Sequence, residues 1–251
     1  MSMYPLIIFD LDGTLAESKQ PITSEIASLV DRLLAKTSVA VISGGAFEQF
    51  LKQVVVRLPH SAKLSNLYLL PTSGAALYEH RTGAWKKIYE ERLSEKEAHT
   101  IESTMRVVAE ETGLIDFSES AWGERIEYRG GQVTLSALGQ HAPLTLKKAW
   151  DADHAKRHLL QEVLAAKLPE FLVGIGGATS IDVTKRGIDK AYGLRQLCER
   201  LHLHEKDTLY VGDELEQGGN DEAIYKTEAD TKSVKNPAET LMLIQTILTS
   251  A

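Results

Sequence analysis

The sequence predicts an α/β protein: a doubly wound, Rossmann-like parallel-sheet core interrupted by an inserted α+β cap domain. Three observations carry that reading. Apolar runs at Leu6-Ile7-Ile8-Phe9, Val39-Ala40-Val41-Ile42 and Leu67-Tyr68-Leu69-Leu70 alternate with helical patterns, as strands buried on both faces of a parallel sheet do. From residue 85 to residue 185 the alternation gives way to hairpins with two helices of their own. From residue 186 the first pattern resumes, so the core comprises 1–84 and 186–251 and the insertion 85–185.

Each element follows from local chemistry. Thr23 caps a helix whose residues Ile26, Leu29, Val30, Leu33 and Leu34 share one face. The second strand, ending at Ile42, runs into Ser43-Gly44-Gly45, and 47–58 has a helical pattern. Leu77 and Tyr78 face Trp85 and Ile88 across Thr82-Gly83, which reads as a hairpin at the entry to the insertion. Ser94 and Glu97 have capping-box spacing for a helix carrying Ile101, Met105 and Val108 and ending near Gly113. Gly130-Gly131 separates two short strands, and Asp153 is expected to cap a helix with Leu159, Val163 and Leu164 inward. Two more strands follow, at 171–175 and 180–183. Both crossings between the two parts, at 84–90 and 184–187, are short and read as a hinge. Back in the core, Asp189 caps a helix that starts at Lys190 and buries Leu194, Leu197, Cys198 and Leu201. A strand at 208–211 ends in Gly212-Asp213, Asn220-Asp221 opens a helical stretch, and Asn236-Pro237 starts the last helix.

Composition excludes several partner classes. A net charge of -7 gives no global attraction to nucleic acid or to an anionic membrane, so any anionic ligand must be held locally. One cysteine, Cys198, cannot form an internal disulfide and fits a reducing compartment. With no span-length apolar run and no leader pattern at the start, the expected address is the cytoplasm. Monomer and homodimer both remain open.

The chemistry starts at Asp10-Leu11-Asp12-Gly13-Thr14, directly after the first strand. Two carboxylates at the carboxyl end of a central strand stand where open α/β sheets bind ligands. They repel each other and call for a cation, and hard oxygen ligands suit Mg²⁺. An ordinary Asp-Gly turn is the bland alternative, but four fixed positions arise by chance in only ~10⁻⁵ of windows.

This motif resembles the nucleophile motif of the haloacid dehalogenase superfamily of phosphatases and phosphotransferases. The resemblance implies three further pieces: a Ser or Thr ending a second strand, a Lys, and a late acidic cluster. The chain supplies Ser43, Lys190, and Asp213 with Asn220-Asp221, in that order. Taken singly, Lys190 reads as a solvated helix residue, and Ser43-Gly44 and Gly212-Asp213 as plain turns. Their order and their places at strand ends favour the joint reading. The resemblance then implies Asp10 as nucleophile and Asp12 as general acid and base. Ser43, Gly44 and Lys190 would hold the phosphate. Mg²⁺ would be held by Asp10, Asp213 and the backbone carbonyl of Asp12, with Asn220 or Asp221 orienting a metal-bound water.

A longer likeness covers nearly the whole chain, insertion included. Residues 9–20, Gly44-Gly45, Ile126-Glu127-Tyr128-Arg129-Gly130-Gly131, 175–183, Asp189-Lys190 and 212–221 are similar to the eukaryotic-type phosphomannomutase family. By that likeness Ser180 and Asp182 contact sugar hydroxyls and Arg129 lies on the facing hairpin. The family also places phosphate-holding arginines where this chain has Trp122 and Gln140, and an Arg where it has Lys19. Arg125 and Arg129 are candidates to replace part of that grip. The expectation is therefore a Mg²⁺-dependent phosphatase of a small phosphorylated sugar or related metabolite. The alternatives are a phosphomannomutase and a non-catalytic sugar-phosphate binder. Binding alone does not need two repelling carboxylates, which disfavours the last.

Overall fold

The computed structural model describes residues 3–250. In chain order the first part contains β1 (Leu6–Asp10), α1 (Ser24–Leu34), β2 (Ser38–Ile42), α2 (Phe47–Gln53), β3 (Leu67–Leu70), β4 (Ala76–Arg81) and β5 (Ala84–Glu90). The middle part contains α3 (Glu95–Thr112), β6 (Ile126–Tyr128), β7 (Gln132–Ser136), α4 (Leu144–Trp150), α5 (Ala155–Lys167), β8 (Phe171–Ile175) and β9 (Ser180–Lys185). Then come α6 (Lys190–Leu201), β10 (Thr208–Gly212), β11 (Asp230–Ser233) and α7 (Pro237–Thr249).

The chain forms two compact units, one of residues 1–90 with 189–251 and one of residues 91–188. The first is built on a seven-stranded sheet of order β11-β10-β1-β2-β3-β4-β5. Its strands β11 to β3 are parallel, while β4 and β5 run antiparallel as a hairpin. β1 is wholly buried because Ile7 and Phe9 face one apolar layer and Leu6 and Ile8 the other. That is why its sequence is a continuous apolar run rather than an alternating one. α1 packs Ile26, Leu29, Val30, Leu33 and Leu34 inward, and Thr23 accepts the Ile26 N–H at 3.3 Å. Each fully buried aliphatic side chain there contributes roughly 1.5–3 kcal/mol.

The second unit is a four-stranded antiparallel sheet of order β6-β7-β9-β8 with α3 and α5 packed on one face. The two-residue periodicity places Val133, Leu135, Ile181 and Val183 on the helix side. Gln132, Thr134, Ser180 and Asp182 therefore share the opposite, polar face.

Several expectations need adjustment. The hairpin expected at the entry to the insertion extends the core sheet instead, since β5 pairs with β4 along its length. Residues 85–90 thus belong to the first unit and 186–188 to the second. The expected hinge at 84–90 is a paired strand, so a hinge there has no free backbone to turn on. α5 is capped by two acids: Asp153, as expected, accepts the Ala155 N–H at 3.2 Å, and Asp151 accepts the Lys156 N–H at 2.8 Å and the Arg157 N–H at 3.2 Å. Its inward residues are Leu160 and Leu164, with Leu159 exposed. The stretch after Asp221 is a short 3₁₀ turn, and β11 and α4 had no sequence signal strong enough to assign.

Candidate active site

Register puts the candidate residues side by side. Phe9 pairs with Val211 and Asp10 with Ile42, so the chain leaves three adjacent parallel strands at Asp10, Ser43 and Asp213. Asp10 is only 2% exposed. Gly13 follows with φ +94, and a Cβ there would lie 2.2 Å from Asp213 Oδ2, so only glycine lets the two loops approach. Thr14 donates its hydroxyl to Asp213 Oδ1 at 2.9 Å.

Lys190, buried at the start of α6, ties the acids together. Its Nζ donates to Asp10 Oδ1 at 2.6 Å, Asn220 Oδ1 at 2.5 Å and Asp221 Oδ1 at 2.7 Å. Asp189 caps the helix by accepting the Tyr192 N–H at 2.9 Å, which fixes where Lys190 begins. Asp221 is held further by the Tyr210 hydroxyl and by the Glu214 N–H at 3.2 Å. One oxygen each of Asp10, Asp213 and Asp221 lies within 4.8 Å of the others, a separation that one cation spans. Asp221, read from sequence as acting on a water, is therefore itself a candidate ligand.

The electrostatics of this set are unfavourable as it stands. Three carboxylates and one ammonium sum to -2 when all are ionised. Burial works against the charge on Lys190, but Asp10 and Asp221 outweigh it and raise its pKa. Burial drives the Asp10 carboxyl well above the usual carboxylate range; Lys190 opposes the shift while Asp221 and Asp213 reinforce it. Burial likewise pushes Asp213 up to about 7, against its Thr14 hydrogen bond and with the help of Asp221 and Glu214. A hard divalent cation matches both the charge deficit and the oxygen donors, so the residues present fit Mg²⁺.

Lys190→Met should be costly, because it leaves Asp10 and Asp221 without the ammonium that both bond. Removing one partner of a buried ion pair costs about 3–5 kcal/mol, to be read from chemical denaturation without divalent metal. A loss below ~1 kcal/mol would show that the carboxylates simply take up protons.

Asp12 lies apart from the three-acid cluster. Its carboxylate accepts the Lys19 N–H at 2.7 Å and the Gln49 side-chain amide at 3.3 Å. Lys19 Nζ in turn donates to Gln49 Oε1 at 2.9 Å, so these three form one network. Gln49, in the first turn of α2, had no sequence signature. Ser43 is 4% exposed, and its hydroxyl accepts the Gly45 N–H at 3.2 Å, shaping the Ser43-Gly44-Gly45 turn.

The remaining candidates belong to the second unit. Arg129 donates to Glu127 Oε2 at 2.6 and 3.0 Å and to Gln140 Oε1 at 3.0 Å, so its charge is already matched. The buried Gln140 Nε2 has no partner. Asp182 accepts the Thr134 hydroxyl at 2.8 Å, and Ser180 stands opposite Ser136 at the start of β9. Arg125 is turned to structural use: it donates to the Ala137 and Glu119 carbonyls, both at 3.0 Å, and lies over the Phe117 ring. Trp122 is 44% exposed.

The family profile described as eukaryotic phosphomannomutase matches residues 26–250. The chain belongs to the eukaryotic phosphomannomutase family. It is an enzyme of the haloacid dehalogenase superfamily. Relatives within the phosphomannomutase family include phosphomannomutase 2 of Dictyostelium discoideum, 27% identical over 247 residues, covering 95% of this chain and 94% of that protein. The phosphomannomutase of Solanum lycopersicum is 28% identical over 94% of this chain and 91% of its own. In fold the chain resembles IMP-nucleotidase of Plasmodium falciparum with IMP bound, at a TM-score of 0.70 and 18% identity, over 98% of this chain and 68% of that one. The phosphomannomutase profile begins downstream of Asp10 and Asp12, so the acid pair is an observation independent of it.

Proposed function

We propose that this protein is a Mg²⁺-dependent phosphatase of a small phosphorylated sugar or related metabolite, acting through an aspartyl phosphate on Asp10. The observation that carries the choice of hydrolase is the neutralised cap arginine. Arg129 is matched by Glu127 and Gln140, and Trp122 and Gln140 stand where the family likeness implies phosphate-holding arginines. A mutase must hold a bisphosphorylated sugar by one phosphate while the other transfers, then reverse it. A hydrolase needs one phosphate site. Membership of the phosphomannomutase family along nearly the whole chain supports the second reading, a hexose-phosphate mutase.

Mg²⁺ held by Asp10, Asp213 and Asp221, with the Asp12 carbonyl, would offset the acids' charge so that an anionic ester can approach a carboxylate. Asp10 attacks phosphorus, and the P–O bond to the leaving group breaks. Asp12 gives the leaving oxygen a proton, then takes one from water as water attacks the aspartyl phosphate and frees inorganic phosphate. Ser43, the Gly44 N–H and Lys190 balance charge on the equatorial oxygens. Asn220, bonded to Lys190, keeps that ammonium aimed. Ser180 and Asp182 meet the sugar hydroxyls, and Lys19 acts by orienting Asp12 through Gln49. Nucleic acid and membrane are not partners in this reading; among the described residues no helix is long and apolar enough to cross a membrane.

The test is phosphate release from an aryl phosphate and a panel of sugar phosphates. Release should require Mg²⁺ and stop with EDTA. The half-saturating Mg²⁺ concentration should fall as pH rises through about 7, because Asp213 then gives up its competing proton. The sign for folding is opposite without metal. The folded state holds that proton up to about 7, whereas the unfolded chain loses it near the ordinary carboxylate value. Stability of the metal-free protein therefore falls as pH rises across that window. Turnover that survives EDTA would remove Mg²⁺ from the reading.

A further inference from the structure

The loop after β3 takes no part in the mechanism above, yet three consecutive residues of it hold positive φ. Thr72, Ser73 and Gly74 all have positive φ, at 53, 56 and 89°. For a β-branched residue such a conformation is an outlier, and it persists only where the surroundings impose it. The surroundings here are two elements of the candidate site. The Ser73 N–H donates to the Ser43 carbonyl at 2.9 Å and the Thr72 N–H to the Gly45 carbonyl at 3.0 Å, which binds the loop to the Ser43-Gly44-Gly45 turn. On its other side Gly74 meets α6, where a Cβ on Gly74 would stand 2.9 Å from Gly193 Cα and 3.1 Å from the Asp189 carbonyl. Lys190 is the next residue after Asp189. The Tyr89 hydroxyl fixes the Gly74 carbonyl at 2.8 Å.

The loop is thus wedged between the Ser43 turn and the helix that starts with Lys190. Its side chain of interest is Thr72, 3% exposed, with a hydroxyl that has no hydrogen-bond partner. Burying an unpartnered hydroxyl is unfavourable, and valine would fill the same space without that penalty. A buried, unpartnered hydroxyl held at positive φ, in a loop bonded to the Ser43-Gly44-Gly45 turn, is one that finds its partner when substrate arrives.

We propose that Thr72 is a substrate-binding residue whose hydroxyl donates a hydrogen bond to an oxygen of the bound phosphomonoester, next to Ser43. This rests on the reading of Ser43 and Lys190 as the phosphate site, but not on the choice between hydrolase and mutase. Three proteins decide it: wild type, Thr72→Val and Thr72→Ser. Two measurements are needed, kcat/KM on an aryl phosphate with Mg²⁺ and calorimetric binding of inorganic phosphate with Mg²⁺. The lost hydrogen bond to an anion should lower kcat/KM about 10–100-fold in Thr72→Val and weaken phosphate binding, while Tm stays level or rises. Thr72→Ser keeps the hydroxyl and should remain within about threefold of wild type in both. Wild-type kcat/KM and phosphate affinity in Thr72→Val would overturn the proposal, as would Thr72→Ser falling as far as Thr72→Val. A wild type that binds inorganic phosphate but releases none from any ester would refute the hydrolase reading alone, and phosphate binding by Thr72→Val would still decide the role of Thr72.

Discussion

Asp10→Asn should abolish turnover while leaving a folded protein. The substitution keeps the shape of the side chain at the end of β1, where it is 2% exposed, and removes the oxygen anion that attacks phosphorus in the proposed mechanism. The remaining hydrogen-bonding and binding groups cannot replace a missing nucleophile, so a loss of at least about a thousandfold is expected. Without metal the variant should be as stable as wild type or more so. Asp10, Asp213, Asp221 and Lys190 sum to -2 in wild type and to -1 in the variant, so a repulsive buried charge has gone. Lys190 keeps two partners, Asp221 and Asn220. Its ion pair with Asp10 weakens to a neutral hydrogen bond, which opposes the gain. Phosphate release and Tm with and without Mg²⁺ check both halves. A variant retaining more than about a hundredth of wild-type turnover would sink the assignment of Asp10 as nucleophile.

Much of this site is legible in the chain because its residues lie at strand ends, where the apolar run stops and a carboxylate or hydroxyl begins. β1, β2 and β10 are continuous apolar runs since both faces are covered, and their ends at Asp10, Ser43 and Asp213 become neighbours through parallel register alone. Helix starts are similarly readable: Ser94, Asp189 and Asn236 each accept the N–H groups their positions predict. What escaped the sequence depends on contacts between distant segments. β11 is a short, mostly exposed edge strand with no apolar signature, and α5 draws part of its cap from Asp151, further back than the expected Asp153. Gln49 meets Asp12 across 37 residues of sequence, and Arg125 bonds carbonyls 6 and 12 residues away. Such pairings follow from tertiary geometry, on which periodicity and spacing are silent. The shape of the loop at Thr72 was equally hidden, since positive φ at Thr-Ser contradicts the local preference of both residues.

Inorganic phosphate release should exceed isomerisation of mannose 1-phosphate, even with a hexose bisphosphate activator present. The reason lies in the charge of the cap sheet. Arg129 is a guanidinium already matched by Glu127 at 2.6 Å and by the Gln140 amide oxygen, so little positive charge is left to grip a second phosphate. Each missing charge-assisted hydrogen bond is worth on the order of 1.5–3 kcal/mol, so lacking the two arginines that the family likeness implies at 122 and 140 would weaken that grip roughly a hundredfold or more. The aspartyl phosphate then meets water before a reoriented sugar phosphate returns. The double variant Trp122→Arg, Gln140→Arg should shift the ratio of isomerisation to phosphate release upward. Gln140→Arg alone should do less, because it removes the acceptor that Arg129 now uses and sets two guanidiniums against a single Glu127. A coupled assay that follows both products from one substrate gives the ratio directly. Wild-type isomerisation much faster than phosphate release would overturn the hydrolase reading. The cap would then grip its distal phosphate through Arg129 drawn away from Glu127, and the family's mutase chemistry would run with a rebuilt anion site.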